Sequence, residues 1–177
     1  LTRDLAERFN GRFGDTFRIP EVLMMKEGAR IMSLDDPTKK MSKSNPNPAS
    51  RIELLDAPDE IVKKCSRAVT DSGREVRFDP IGKPAISNLL TIYCGCTNIT
   101  VEQAEEAFAG KGYGDFKKAV AEAVVNVLEP IQARFREIRT SGLLEQILHA
   151  GAERAASVAN ATLAQVRDRI GLGLAQR

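Results

Sequence analysis

The chain has 177 residues, 42% hydrophobic and 28% charged, with 26 basic and 24 acidic side chains for a formal charge of +2. Such proportions belong to an ordinary globular protein with a real core, and they exclude collagen, a disordered tail, a coiled coil and a membrane span of roughly 20 apolar residues. A single histidine, His149, and no tryptophan leave no material for a His-built metal centre or a Ser-His-Asp triad.

Leu1 is not a methionine and opens in mid-pattern, so a fragment of a longer protein is expected. Leu1, Leu5, Phe9 and Phe13 recur at helical spacing and predict an amphipathic helix ended by Gly14. After Pro20, the run from Ala29 to Leu34 reads as a short strand. Residues 35–48, with three prolines, two asparagines and two serines, are irregular and form a loop. Asp56 is the expected N-cap of the next helix, whose apolar stripe is Ile61, Val62, Cys65 and Val69. A turn at 70–73 and an extended piece at Val76–Phe78 precede a helix carrying Ile86, Leu89, Leu90 and Tyr93. Thr100 with Gln103 predicts a capping box on a short helix. Gly110, Gly112 and Gly114 then interrupt the chain before a long helix from near Asp115, with a kink or break expected at Pro130. A last helix runs from Leu143 to Ile170 and stops at Gly171. The architecture is mostly α, the edge of an α/β domain followed by a helical domain.

Cys65, Cys94 and Cys96, an odd count without a CxxC pair, predict reduced, partly buried thiols in a cytoplasmic protein, with no disulfide framework and no metal ribbon. Residues 1–80 carry 15 basic and 14 acidic side chains and residues 81–177 carry 11 and 10, so neither half is a nucleic-acid coat. Two local clusters stand out: Lys111, Lys117 and Lys118, and Arg134, Arg136 and Arg139 beside Phe135. Each reads as a solvated helix face or as a patch that meets RNA phosphates, and charge alone does not decide between them.

The chemistry concentrates in Lys40-Met41-Ser42-Lys43-Ser44, two ammonium groups and two hydroxyls on a proline-flanked loop. Lysines supply charge and hydroxyls supply hydrogen bonds, a set suited to wrapping a polyphosphate. The glycines of a Walker A loop are missing. A mobile lysine can contact a departing pyrophosphate more strongly in the transition state than in the ground state, which is binding energy used for catalysis.

As a string, Lys-Met-Ser-Lys-Ser is the signature of class I aminoacyl-tRNA synthetases, and residues 28–47 (GARIMSLDDPTKKMSKSNPN) resemble the bacterial-type tryptophanyl-tRNA synthetase family. Similar segments follow in order: Leu1–Asp4, Ala68–Ser72, Pro84–Leu90, Gly110–Gly114 and Gly151–Ala155. The resemblance implies the C-terminal edge of a Rossmann catalytic domain over residues 1–48 and a helical anticodon-binding domain over 49–177. It further implies tryptophan activation by ATP, with Mg2+ held mainly by the phosphates, then transfer to tRNA(Trp), in a cytoplasmic homodimer that binds neither membrane nor DNA. By position, Lys40 and Lys43 match the catalytic lysines of the family's mobile loop, with Lys43 the principal phosphate contact. Ile31, Lys40, Met41, Ser42, Lys43 and Ser44 match its ATP-binding positions, Ile31 lining the adenine site and Met41 closing over the base. Lys111, Arg134, Arg136 and Arg139 become candidate RNA contacts, and Lys111 and Tyr113 share a family motif without an assigned role.

The family's HIGH-type signature and its tryptophan pocket have no counterpart here; His149 lies in Leu-His-Ala-Gly. The chain alone is therefore expected to be inactive. Asn45 stands where many members carry aspartate, and both residues cap turns. The alternatives are a tyrosyl relative, which shares the fold and a related loop, and a helical RNA-binding module with no catalysis.

Overall fold

A computed structural model describes residues 1–23 and 30–173. It contains α1 (Thr2–Phe13), a 3-10 turn at Pro48–Ser50, α2 (Pro58–Arg67), α3 (Pro84–Thr97), α4 (Val101–Ala107), α5 (Tyr113–Thr140) and α6 (Leu143–Arg169). The chain is mostly helical, as its periodicity predicts. It divides into two compact units, Leu1–Met24 with Glu137–Arg177, and Met25–Arg136. This partition by proximity differs in kind from the 48/49 boundary, which concerns roles.

In the first unit, α1 buries only Ala6, and Phe9 gathers Phe13 and Phe17 around it with ring centroids 4.9 Å away in each case. Asn10 closes the turn that follows: its carboxamide oxygen accepts from the N–H groups of Thr16 and Phe17, and its nitrogen donates to the Phe17 carbonyl. Arg169, in the last turn of α6, donates to the Phe13 carbonyl at 3.0 Å, where a cation is favoured at a helix C-terminus. Gly171 takes φ 78°, and Leu172 N–H reaches back to the Arg167 carbonyl, which is a Schellman stop.

The second unit holds the core. Leu34, Ile61, Cys65, Ile86, Leu89, Leu90, Phe116 and Val120 are buried, supplied by one extended segment and by α2, α3 and α5. Phe108, Phe116 and Tyr93 meet edge to face, with Phe108 and Phe116 centroids 5.0 Å apart. The capping box of α4 forms as expected: Gln103 N–H donates to Thr100 Oγ1, and Thr100 N–H donates to Gln103 Oε1.

Several expectations are corrected. The strand at 29–34 does not form; Ala29 lies outside the described residues, and among those described the only pairing is an isolated antiparallel bridge, Met32 with Lys40. The other edge of this segment meets a side chain and single backbone groups instead of a strand. Asp56 is not an N-cap: Ala57 takes that place without a side-chain bond. The Asp56 carboxylate is buried and accepts from Glu53 N–H and Lys64 Nζ. The α2 stripe narrows to Ile61 and Cys65, because Val62 is exposed and Val69 lies beyond the helix end. Val76–Phe78 forms no ladder; Val76 enters the core while Glu105 accepts from Phe78 N–H. The break at Pro130 is absent and α5 runs through it. Pro130 and Asn126, whose carbonyl loses its donor, are both exposed, so water can replace the missing bond.

Polar pairs tie distant parts of this unit together. Gln132, buried, donates to the carbonyls of Leu54 and Asp56 at 2.9 Å each. Lys117 is no solvated lysine: it donates to the carbonyls of Ser66 and Ala68 at the end of α2, and burial lowers its pKa. Asp71, Lys83 and Tyr113 join the turn after α2 to the starts of α3 and α5. Tyr113 Oη and Lys83 Nζ approach Asp71 Oδ1 at 2.8 and 3.3 Å, and lie 2.9 Å from each other. Burial opposes ionisation of Asp71, but the Tyr113 hydroxyl, the Gly73 N–H and the Lys83 ammonium together hold its pKa below the ordinary 3.8.

Phe116→Ala is expected to cost about 3–5 kcal/mol, read as a lower urea midpoint. The depressed Asp71 carboxyl contributes stability that is complete above pH 3.8 and is lost as pH falls through its lower folded value. Asp71→Asn is accordingly expected to lower the melting temperature at neutral pH, with the gap to wild type closing below pH 3.8. A gap of constant size across that range would show that the charge contributes nothing.

Candidate functional site

The Lys40–Ser44 loop grows from a short hairpin stem. Met41 N–H donates to the Ile31 carbonyl at 3.0 Å and Ser33 N–H donates to the Lys39 carbonyl at 2.8 Å. At its turn, Asp36 accepts from the Thr38 hydroxyl and N–H and from Lys39 Nζ, the last at 2.9 Å. The Thr38 hydroxyl and the Lys39 ammonium hold the Asp36 carboxyl down to about 2, and Asp36 in turn raises the pKa of Lys39. Of three lysines in this stretch, Lys39 is thus paired. Lys40 and Lys43 are exposed, and neither makes an ion pair among the described residues.

The far end of the loop is pinned as firmly. Asp35 accepts from the Ser33 hydroxyl at 2.6 Å and from the Asn47 amide at 2.6 Å, and these two bonds hold its carboxyl below 3.8. Arg51 donates to the Asn45 carbonyl at 2.9 Å and pairs with Glu53. Asn45 and Asn47 each accept from the N–H two residues on, at Asn47 and Ala49, which are Asx turns. Ser42 Oγ accepts from Ser44 N–H at 3.2 Å. The result is a short, exposed segment held at both ends, with two ammonium groups and the exposed Ser44 available to anionic oxygens.

Of the sequence-predicted site residues, Ile31 and Lys40–Ser44 therefore belong to one construction. Ile31 sits half-buried in the stem. Met41 packs against the hydrophobic core, where it anchors the loop. Beside Met41, Ser42 and Lys43 lies an open groove of about 610 Å³, lined also by Leu54, Ile131 and Phe135. Lys111 and Arg134, two of the proposed RNA contacts, are not brought together. Lys111 is exposed and stands over the Phe108 ring at 5.2 Å. Arg134 lies about 30 Å further along α5 at 1.5 Å per residue. Arg134 and Arg136, both exposed, are two residues apart and project to nearly opposite sides of the helix. Among the described residues, no group of three or more His, Cys, Asp or Glu side chains could hold a metal ion, and no helix is long and apolar enough to cross a membrane.

Four residues that hold the loop escaped the sequence reading: Asp35, Asn47, Arg51 and Asn88. The last carried a signal, since an asparagine inside an apolar helical stretch is unfavourable unless its amide is used.

The family model described as tRNA synthetases class I (W and Y) matches residues 1–129. The tryptophan–tRNA ligases of Halalkalibacterium halodurans and Bacillus subtilis are each 54% identical over 177 residues, all of this chain and 54% of theirs. The Mycoplasma pneumoniae tryptophanyl-tRNA synthetase superposes with a TM-score of 0.86 at 38% identity, covering 97% of this chain and 52% of that one. The Campylobacter jejuni enzyme, solved with ADP and tryptophan, gives 0.63 at 26% identity over 96% and 52%. The chain spans about half the length of the curated relatives it matches. With the family match running through the whole loop and most of the helical body, the chain belongs to the class I tRNA synthetases of the tryptophan and tyrosine type.

Proposed function

We propose that this chain is the C-terminal portion of a tryptophan–tRNA ligase. Residues 1–48 carry the end of the Rossmann catalytic domain with its ATP loop, and residues 49–177 form the helical anticodon-binding domain. The observation that carries the reading is the pair of exposed ammonium groups, Lys40 and Lys43, neither in an ion pair among the described residues, on a segment held at both ends. In tryptophan activation the amino-acid carboxylate attacks the α-phosphorus of ATP. A new C–O–P link forms, and the bond from the α-phosphorus to the bridging oxygen breaks. The electron pair stays on the departing pyrophosphate, and Lys43 meets the charge that develops there, with Lys40 beside it. Ser42 and Ser44 offer hydroxyls to phosphate oxygens, Ile31 lines the adenine side, and Met41 ties the loop to the core. Mg2+ enters with the phosphates of ATP.

The relatives named above are tryptophan enzymes, which favours tryptophan over tyrosine, and a family built on adenylate chemistry favours an enzyme over a bare RNA-binding module. The same reading makes tRNA(Trp) the macromolecular partner, with Lys111, Arg134, Arg136 and Arg139 as separate phosphate or base contacts. It also makes the whole protein a cytoplasmic homodimer. In the full-length synthetase carrying this segment, Lys43→Ala is expected to lower kcat of tryptophan-dependent ATP–pyrophosphate exchange by about 10²-fold or more. Exchange at the wild-type rate would remove the loop from the reaction.

A further inference from the structure

Asn88 lies on the inner face of α3 and is 6% exposed. Both ends of its amide are spent on one distant residue. Met32 N–H donates to Asn88 Oδ1 at 2.8 Å, and Asn88 Nδ2 donates to the Met32 carbonyl at 2.9 Å. That is the pair of bonds a neighbouring strand supplies to a ladder residue. On the other edge, Met32 stands opposite Lys40, the first residue of the loop, in a bridge whose bonds its neighbours make: Met41 N–H donates to the Ile31 carbonyl and Ser33 N–H to the Lys39 carbonyl. On the Asn88 edge, the next contacts are made by backbone groups only: Leu34 N–H donates to the Ser50 carbonyl, and Leu34 accepts from Val69 N–H. The Asn88 side chain is therefore the point at which a substitution reaches this edge of the stem. Its amide faces Met32 from within the core, with both its ends taken up by that residue.

We infer that Asn88 is a positioning residue for the Lys40–Ser44 loop: its amide stands in for a missing strand, holds Met32 against α3, and through the Met32–Lys40 bridge sets where Lys40 and Lys43 stand. This rests on the reading of the loop as the one that meets the phosphates of ATP.

The test is made in the full-length synthetase carrying this segment, by tryptophan-dependent ATP–pyrophosphate exchange. Asn88→Leu, close in volume and without the amide, is expected to lower kcat by about 10²-fold with tryptophan affinity unchanged. In a Lys40→Ala/Lys43→Ala background, the same substitution is expected to cost no more than about twofold, since it has no lysine left to position. Losses that multiply, or tryptophan affinity falling in step with exchange, mean a general structural role and overturn the inference. So does normal exchange by Asn88→Leu when the lysine variant is impaired. If the lysine variant itself exchanges normally, the loop reading fails first and takes the inference with it. Should Asn88→Leu fail to fold by thermal unfolding, Asn88→Asp keeps the acceptor for Met32 N–H, sets an oxygen against the Met32 carbonyl, and is judged by the same criteria.

Discussion

Four residues of extended chain, 31–34, hold the loop and the helical body of their unit to one another. In an extended backbone, successive residues aim their hydrogen-bonding groups at opposite edges. Ile31 and Ser33 face the limb at 39–41, while Met32 and Leu34 face α3, the Pro48–Ser50 turn and the segment after α2. A segment bonded on one edge could slide with its loop. This one is committed on both, so the loop can shift at its base only by breaking bonds to the helical body. The placement of two exposed lysines thereby becomes a property of the core.

That core is able to bear the role. Leu34, 2% exposed, is itself part of it, packed with Ile61, Cys65, Ile86 and Phe116. The polar ties around it sit where helix ends and irregular segments leave carbonyls unpaired: Lys117 at the end of α2, Gln132 on the carbonyls of Leu54 and Asp56. Buried carbonyls left without donors cost more than such bonds gain. Each tie therefore fixes a connection that burial of apolar groups alone would leave free to drift.

The helices were largely legible, because apolar spacing and caps are local signals: α1 with Gly14, the Thr100–Gln103 box, and the stop at Gly171 all stand where the pattern puts them. What was not legible lies in long-range polar pairing. Asn88 meets a partner 56 residues away, Tyr113 one 42 away and Gln132 one 78 away, and no periodicity encodes such meetings. Asp56 shows the same limit at short range, since its carboxylate chose Glu53 N–H and Lys64 over the helix start. The strand failed for a related reason: its backbone groups aim at alternate edges as a strand's do, but a ladder needs a second strand, and one edge here meets a side chain. The loop was legible as chemistry, by its two lysines and two hydroxyls. It was not legible as geometry, because the pins at Asp35, Asn47 and Arg51 come from residues that read only as turn formers or surface charge.

The pairing of Lys39 with Asp36 has a consequence for selectivity. Three free lysines within five residues would draw any polyanion, nucleic acid included. With Lys39 neutralised, the segment presents two point charges three residues apart on a braced frame. The aspartate thus trims the loop's positive charge: an anion that meets Lys39 must displace a carboxylate, whereas one that meets Lys40 or Lys43 displaces no ion pair among the described residues.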